Sequence, residues 1–203
     1  MSDTDSFINE VSDEVRRDAL FGYIRRYGWI AVLVVLGLVG GAAWNEYSKA
    51  QDRTAAQASG DAMLDALSED DAAARATALT ATNVDGPAVA VSALLTAATQ
   101  QEAGDTAAAA ATLNALAVNG DVPKIYRDLA AIKAAMLPSD DMDARKASLD
   151  ALSQPGAPFR LIALEQIGLI QSAEGDVDGA IATMRRVSED AAASRGLRER
   201  AQT

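Results

Sequence analysis

The chain contains no cysteine and no histidine. The first absence removes disulfides, thiolate nucleophiles and zinc–cysteine sites; the second removes the commonest general base and metal ligand. A chain without cysteine is compatible with an oxidising compartment. Aromatic residues are scarce at 4%, although apolar residues reach 49%, many of them Ala. That mixture suits helices in close contact, because Ala is the best helix former and buries no polar atom. A sheet protein would want more β-branched and aromatic residues. Positive charge is also in deficit: 18 Lys and Arg stand against 29 Asp and Glu, a net −11. Sequence-independent binding of nucleic acid, which depends on neutralising phosphates, is disfavoured. The 203 residues suffice for one sizeable domain and an anchor.

What the chain does have is one long uncharged run. From Tyr27 to Asn45 no residue carries a charge. Nineteen residues at about 1.5 Å each span roughly 28 Å, close to the ~30 Å hydrocarbon core of a bilayer. Trp29 with Tyr27 marks one end and Trp44 with Tyr47 the other, as in interfacial aromatic belts. Arg16, Arg17, Arg25 and Arg26 precede the run, whereas only Lys49 and Arg53 follow closely, so the positive-inside rule puts the N-terminus in the cytoplasm. A cleaved signal peptide fits poorly, since 26 residues with six acids come first. Gly37, Gly40 and Gly41 offer a helix-packing face within the span. Ahead of it, Phe7, Ile8, Val11, Val15 and Leu20 recur at helical spacing among acids and arginines, which predicts a short amphipathic helix.

Residues 46–203 hold 14 Lys and Arg against 23 Asp and Glu. Turns punctuate this portion at a fixed step. Glu69-Asp70, Gly104-Asp105, Ser139-Asp140 and Gly175-Asp176 recur at intervals of 35, 35 and 36 residues. Asp70, Asp105, Asp140 and Asp176 are each placed to cap the following helix, and Gly104 and Gly175 to end the preceding one. Leu79, Leu113, Leu149 and Met184 follow those acids by eight or nine residues, and Leu94, Leu129 and Leu164 are spaced by 35. The expectation is about four helix pairs. The first helix of the first pair continues from the membrane through residues 46–67.

A helix–turn–helix unit with this step resembles the tetratricopeptide repeat. The last unit carries the likeness best, through Ile167-Gly168, Gly175, Ala180-Ile181 and Met184. Gln100 and Gln171 depart from it, standing where the motif wants a large aromatic. The predicted fold class is therefore all-α: one N-terminal transmembrane helix followed by a tetratricopeptide-like α-solenoid. The expected division is a cytoplasmic segment at 1–26, a transmembrane helix at 27–47 and a repeat domain at 48–203.

Over its full length the chain also resembles the bacterial ancillary Sec-translocon subunits, the YfgM-like family, in the form met in alphaproteobacteria. Phe7-Ile-Asn-Glu-Val-Ser-Asp-Glu-Val-Arg-Arg-Asp, Arg25-Arg26-Tyr27-Gly28 and Trp44-Asn-Glu-Tyr47 carry that likeness. The resemblance implies a repeat domain in the periplasm of the inner membrane. It implies the Sec channel and a membrane-anchored prolyl-isomerase-type chaperone as partners. Members usually run on past a segment like Leu197-Arg-Glu-Arg-Ala201 into an apolar helix, so an incompletely covered last repeat is expected here.

Chemistry finds little raw material. Asp70-Asp71, Asp140-Asp141 with Asp143, and Asp176 with Asp178 lie at helix starts, where capping accounts for them. Asp140-Asp-Met-Asp lacks the midway Gly and the final Glu of a calcium loop. No phosphate-cradling loop is present and no His activates a Ser or Thr. No enzyme, cofactor or metal is expected. The positive reading is binding. In a helix-pair solenoid the first helices line the concave face, which nominates Val91, Leu94, Tyr126 and Leu129, with Met136, Ile162 and Leu169, as an apolar partner groove. Leu164 is the exception, expected in the core. Trp29, Gly37, Gly40 and Trp44 are the expected anchor residues. A structural brace in another membrane complex, respiratory or photosynthetic, is the alternative function.

Overall fold

Helices follow one another without a strand among the described residues, which in this computed structural model are 3–139 and 141–202, with side chains described at 25–30, 32–139 and 141–202. α1 runs from Asp3 to Leu67 without a break. The expected amphipathic helix, span and first repeat helix are thus one element. The side chains of Phe7, Ile8, Val11, Val15 and Leu20 lie outside the described set. Then come α2 (Ala72–Ala81), α3 (Ala88–Glu102), α4 (Thr106–Ala117), α5 (Lys124–Met136), α6 (Met142–Leu152), α7 (Arg160–Ala173), α8 (Val177–Ser188) and the short α9 (Arg195–Arg200). The chain divides into two compact units, one up to Ala55 and one from Ala56 onward.

In the first unit every described large apolar side chain from Tyr27 to Tyr47 is exposed on the chain itself, Trp29 by 62% and Trp44 by 73%. The Trp44 and Tyr47 rings lie 6.4 Å apart, tilted by 40°. The helix is long and apolar enough to cross a membrane by length and composition. A contiguous apolar surface of that size needs lipid or protein around it.

The second unit alternates two kinds of helix start. The second helices of the pairs all begin with an aspartate cap. Asp71, Asp105 and Asp141 accept from the backbone N–H of Ala74, Ala108 and Ala144 at 2.9 Å, and Asp176 from Gly179 at 3.0 Å. These bonds satisfy one of the orphan donors at each N-terminus and set a carboxylate against the dipole. Two caps fall one residue later than the sequence predicts. Asp71 replaces Asp70, because Arg75 holds the carbonyls of Glu69 and Asp70 within the turn. Asp141 caps in place of Asp140, which lies outside the described residues. Pro138 keeps Leu137 extended, and the Ser139 hydroxyl accepts from the Asp141 N–H, so the turn lengthens. Where Gly104 and Gly175 supply φ of +82° and +84°, the turn closes tightly and the cap falls on the expected Asp. The first helices α3, α5 and α7 start behind Pro87, Pro123 and Phe159, with no side-chain cap.

The helices pack in chain order from α2 to α9, α5 also touching α7. Three apolar clusters hold them, each shared by neighbouring pairs. Ala90, Ala97, Leu113, Leu116, Ala130 and Leu137 join α3 and α4 to α5. Ile132, Leu149, Leu152, Ala163 and Ile170 join α5 and α6 to α7. Leu164, Val187, Ala193 and Leu197 join the last pair to α9. Leu79, Leu113 and Leu149, predicted by their spacing, are fully buried, at about 1.5–3 kcal/mol of transfer each. In the last pair Val187 is fully buried, while Met184 is half-buried. Met184 instead lies against Gly168, where a Cβ would come within 3.0 Å of its Cε. Gly168 therefore faces Met184, one turn beyond Ala180, which is itself buried.

Polar bonds complete the end of the unit. Arg200 of α9 donates to both carboxylate oxygens of the buried Glu165, at 2.6 and 3.1 Å, and that pairing raises the guanidinium above its ordinary pKa. Arg160 donates to Asp190 at 2.6 Å. This bond, helped by one from the Ala192 N–H, holds the Asp190 carboxyl below its ordinary range.

Candidate interaction surface

The seven positions nominated for a groove fall into two groups. Val91, Tyr126, Met136 and Leu169 are exposed, by 44%, 39%, 52% and 51%. Leu94 is half-buried against the first cluster, and Leu129 and Ile162 against the second. The recurring 35-residue Leu thus points inward, and Leu164 is buried as expected. What the first helices leave open is a sparser set, one to three large apolar side chains per helix. Ile125 adds to it from α5, at 46% exposed, a position the leucine spacing did not flag. The helical spacing of Ile125, Leu129 and Ile132 places it on the face that Ile132 buries, so its exposure was not legible from the pattern.

A second apolar area lies between α7 and α8. Leu169, Val177, Ile181 and Met184 border a cavity of about 750 Å³, whose rim carries Arg185 and Glu189. Val177 and Ile181 are more than half exposed. Trp29, Gly37, Gly40 and Trp44, the residues expected to anchor the chain, are exposed, and a Cβ on either glycine would meet nothing within 4 Å. The two glycines, three residues apart, occupy neighbouring positions on α1 and leave it slender there.

Charged groups are spread out. Among the described residues no three acidic side chains converge on a point that would hold a metal ion. One Asp of each cluster at a helix start is engaged as a cap, Asp71, Asp141 and Asp176. Buried acids are paired: Asp128 accepts from Lys124 at 2.6 Å and Glu165 from Arg200. The two glutamines that departed from the motif have a role that the sequence pattern did not disclose. Thr112 donates to Gln100 at 2.9 Å and Thr183 to Gln171 at 2.8 Å, each bond joining the two helices of its pair. The identical separation of twelve residues in both pairs is the signal that would have revealed them.

Exposed apolar side chains on stacked helix pairs, with no convergent catalytic or ligating group among the described residues, make a surface suited to protein contacts. No curated protein and no solved structure matches the chain. A family description does match: that of the tetratricopeptide repeat-like domain, over residues 23–200. Such domains are typically non-catalytic modules for protein–protein interaction. The match extends through every helix pair and back into the apolar part of α1, and on that ground the chain belongs to the tetratricopeptide repeat-like domain family.

Proposed function

We propose that this chain is a non-enzymatic, single-span subunit of a bacterial inner membrane. Its N-terminus is cytoplasmic, and its repeat domain stands in the periplasm. There it works beside the Sec channel, with a membrane-anchored prolyl-isomerase-type chaperone, on secreted or envelope proteins. The observation that carries the interaction role is the set Val91, Tyr126, Met136 and Leu169, exposed apolar side chains on the first helices of successive pairs. Support for the membrane setting comes from the uncharged run between Tyr27 and Asn45 and the arginines before it. The likeness of the N-terminal segment to Sec-associated subunits supports the choice of partners.

An apolar groove of this kind takes a helix or an extended non-native segment by burying side chains that water otherwise surrounds. Replacing an exposed groove residue with Glu leaves the free protein hydrated but forces desolvation of a charge in the complex, at several kcal/mol. Tyr126→Glu and Leu169→Glu are accordingly expected to lose crosslinking and copurification of channel and chaperone components, with helicity and melting unchanged. A drop in melting temperature would reassign both residues to the core. Retained partners at normal melting would shift the binding site to α1. Recovery of a respiratory or photosynthetic complex in place of the channel would replace the Sec reading with that of a brace.

A further inference from the structure

The first helices α3, α5 and α7 begin at Ala88, Lys124 and Arg160, and α9 at Arg195, successive starts 36, 36 and 35 residues apart. α9 therefore stands where a fifth pair would open. It differs in length: α3, α5 and α7 run for 15, 13 and 14 residues, whereas α9 closes after 6, at Arg200. Earlier pairs have the next first helix laid on them. Leu113 is buried in a cluster that takes Ala130 from α5, and Leu149 in one that takes Ala163 and Ile170 from α7. Met184, next in that series, is only half-buried, because α9 delivers Leu197 to Leu164 and Val187 and stops there. Val177 repeats the contrast. Its counterpart one step earlier, Met142, packs against the second cluster, while Val177 is 58% exposed. The uncovered half of the face is the cavity of about 750 Å³ between α7 and α8, with Ala201 at its edge.

The earlier joints show how a cover is oriented and charged. Arg75 near the start of α2 pairs with Glu102 at the end of α3 at 3.0 Å, and Lys146 near the start of α6 with Glu174 at the end of α7 at 2.5 Å. The covering helix thus runs antiparallel to the second helix beneath it and brings a carboxylate to a cation there. On α8, Ile181 takes the register position of Lys146, and Arg185 stands one turn further on. Arg185 is exposed on the cavity rim and makes no ion pair among the described residues, Glu189 one turn away included.

We propose that this face is a docking site for an amphipathic α-helix of a partner polypeptide, seated in line with α9 and antiparallel to α8, as the first helix of a fifth pair. α8 has 12 residues, so a helix of about twelve residues, or about 18 Å, covers it. Apolar side chains at i, i+3, i+7 and i+11 would meet Ser188, Met184, Ile181 and Val177 in turn, and a carboxylate beside the second of them would meet Arg185. The apolar contacts carry the affinity, and the exposed ion pair fixes register and direction. An extended segment would press unpaired backbone N–H and C=O groups against apolar side chains. Val177 and Ile181 belong to a second helix, so the site is independent of the first-helix groove. Leu169, which borders both, is left unchanged in the test.

The test uses the full chain in detergent micelles. The chain has no cysteine, so Ser188→Cys, Val177→Cys and Val118→Cys each introduce a single thiol. Val118, 81% exposed at the end of α4, is the remote control. The probe is acetyl-Ile-Ala-Lys-Leu-Glu-Ala-Gln-Leu-Ala-Ala-Lys-Leu-amide with a cysteine added at one end or the other. Disulfide coupling in a glutathione buffer is read by mass spectrometry. The N-terminal cysteine is expected to couple to Ser188→Cys at least threefold more than to Val177→Cys, and the C-terminal one in the opposite order. Both should exceed Val118→Cys at least threefold. Replacing the probe's Glu with Lys, or Ile181→Lys in the chain, should reduce coupling at least twofold. Coupling without end preference, the reverse preference, coupling no greater than at Val118, or equal coupling of a probe with the same residues scrambled would each overturn the proposal. So would unchanged coupling after either replacement. A disulfide between two copies of Val177→Cys that outcompetes the probe would assign the face to self-association and overturn it as well. Melting is followed for every variant. If Ile181→Lys lowers it, Ile181→Gln takes its place, with the same reduction expected and unchanged coupling overturning the proposal.

Discussion

Leu36 in α1 is 60% exposed, whereas Leu149 in α6 is fully buried. Both sit in helices rich in apolar or small residues, and neither the residue type nor the local propensity distinguishes them. The difference is in what surrounds the hydrophobic positions. Around Leu36 the apolar residues are continuous, so every side of the helix is apolar and none can be satisfied by packing on one neighbour. Around Leu149 they stand between Asp, Arg, Lys and Ser, giving one stripe that the neighbouring helices α5 and α7 cover. The first pattern calls for a different solvent; the second calls for a fold.

The comparison can be broken from either side. The largest effect is expected at Leu149→Ala. Its cluster joins α5, α6 and α7, so the cavity cannot collapse locally, and a loss of roughly 3 kcal/mol follows. In a unit of this size that lowers the melting temperature by about 6–12 °C, read by circular dichroism of the full chain in detergent. Membrane integration should not change. Next, Leu36→Arg places a charge at the middle of the apolar run, at a cost to insertion of about 3 kcal/mol, or roughly 100-fold in the integration equilibrium. Resistance of the chain to carbonate extraction measures it, and the melting of the repeat unit should stay as it was. If Leu36→Arg melts the repeat, or Leu149→Ala strips the chain from the membrane, the two regions do not follow separate rules.

Two smaller tests sharpen the picture within the repeat. Ala180→Leu adds three carbons beside Gly168 and Met184, where the helices of the last pair touch, and should destabilise by about 1–3 kcal/mol. The neighbouring Met184 is flexible and half-buried, so the lower half of that range is expected. The smallest effect concerns pH. The Asp190 carboxyl is held low by Arg160, so it binds fewer protons folded than unfolded. Its contribution is complete above the ordinary carboxylate value of about 3.9 and disappears as pH falls through the lower folded value. The melting temperature of the parent should therefore decline more steeply below about pH 4 than that of Asp190→Asn. Parallel curves would mean that the Arg160 bond contributes nothing in solution.

Much of the fold was legible because its signals are local. The long apolar helix follows from an uncharged run, the pairs from a 35-residue step, and the caps from Asp beside Gly. Where Gly104 and Gly175 end a helix, the cap was placed to the residue. Where Ser68-Glu69 and Pro138-Ser139 do so instead, it slipped by one, since a longer turn depends on Arg75 and Ser139 contacts that spacing does not encode. The surface was less legible. Leu94, Leu129 and Ile162 share the periodicity of groove residues, yet they pack sideways on the next pair. A helix in a solenoid has core on two sides, and period alone does not say which side faces a neighbour. The Gln–Thr bonds and the pairing of Glu165 with Arg200 escaped for a simpler reason. Each joins residues twelve or more positions apart: the Gln–Thr bonds show only as a twelve-residue spacing shared by two pairs, and the single Glu165–Arg200 pair has no second copy to compare.

That last pair has a consequence for how the repeat comes apart. In a stack of units that touch only their neighbours, terminal units ordinarily open first, and amide hydrogen exchange is fastest there. Arg200 stands one repeat length, 35 residues, beyond Glu165 and reaches back to it from α9. Opening the end would strand the carboxylate of Glu165, whose side chain is 10% exposed, without its counter-ion, so fraying at α9 is tied to fraying at α7. The exchange gradient along the stack should accordingly flatten at this end: α7 amides would exchange on the timescale of the middle helices, and α9 would behave as a clasp on the row.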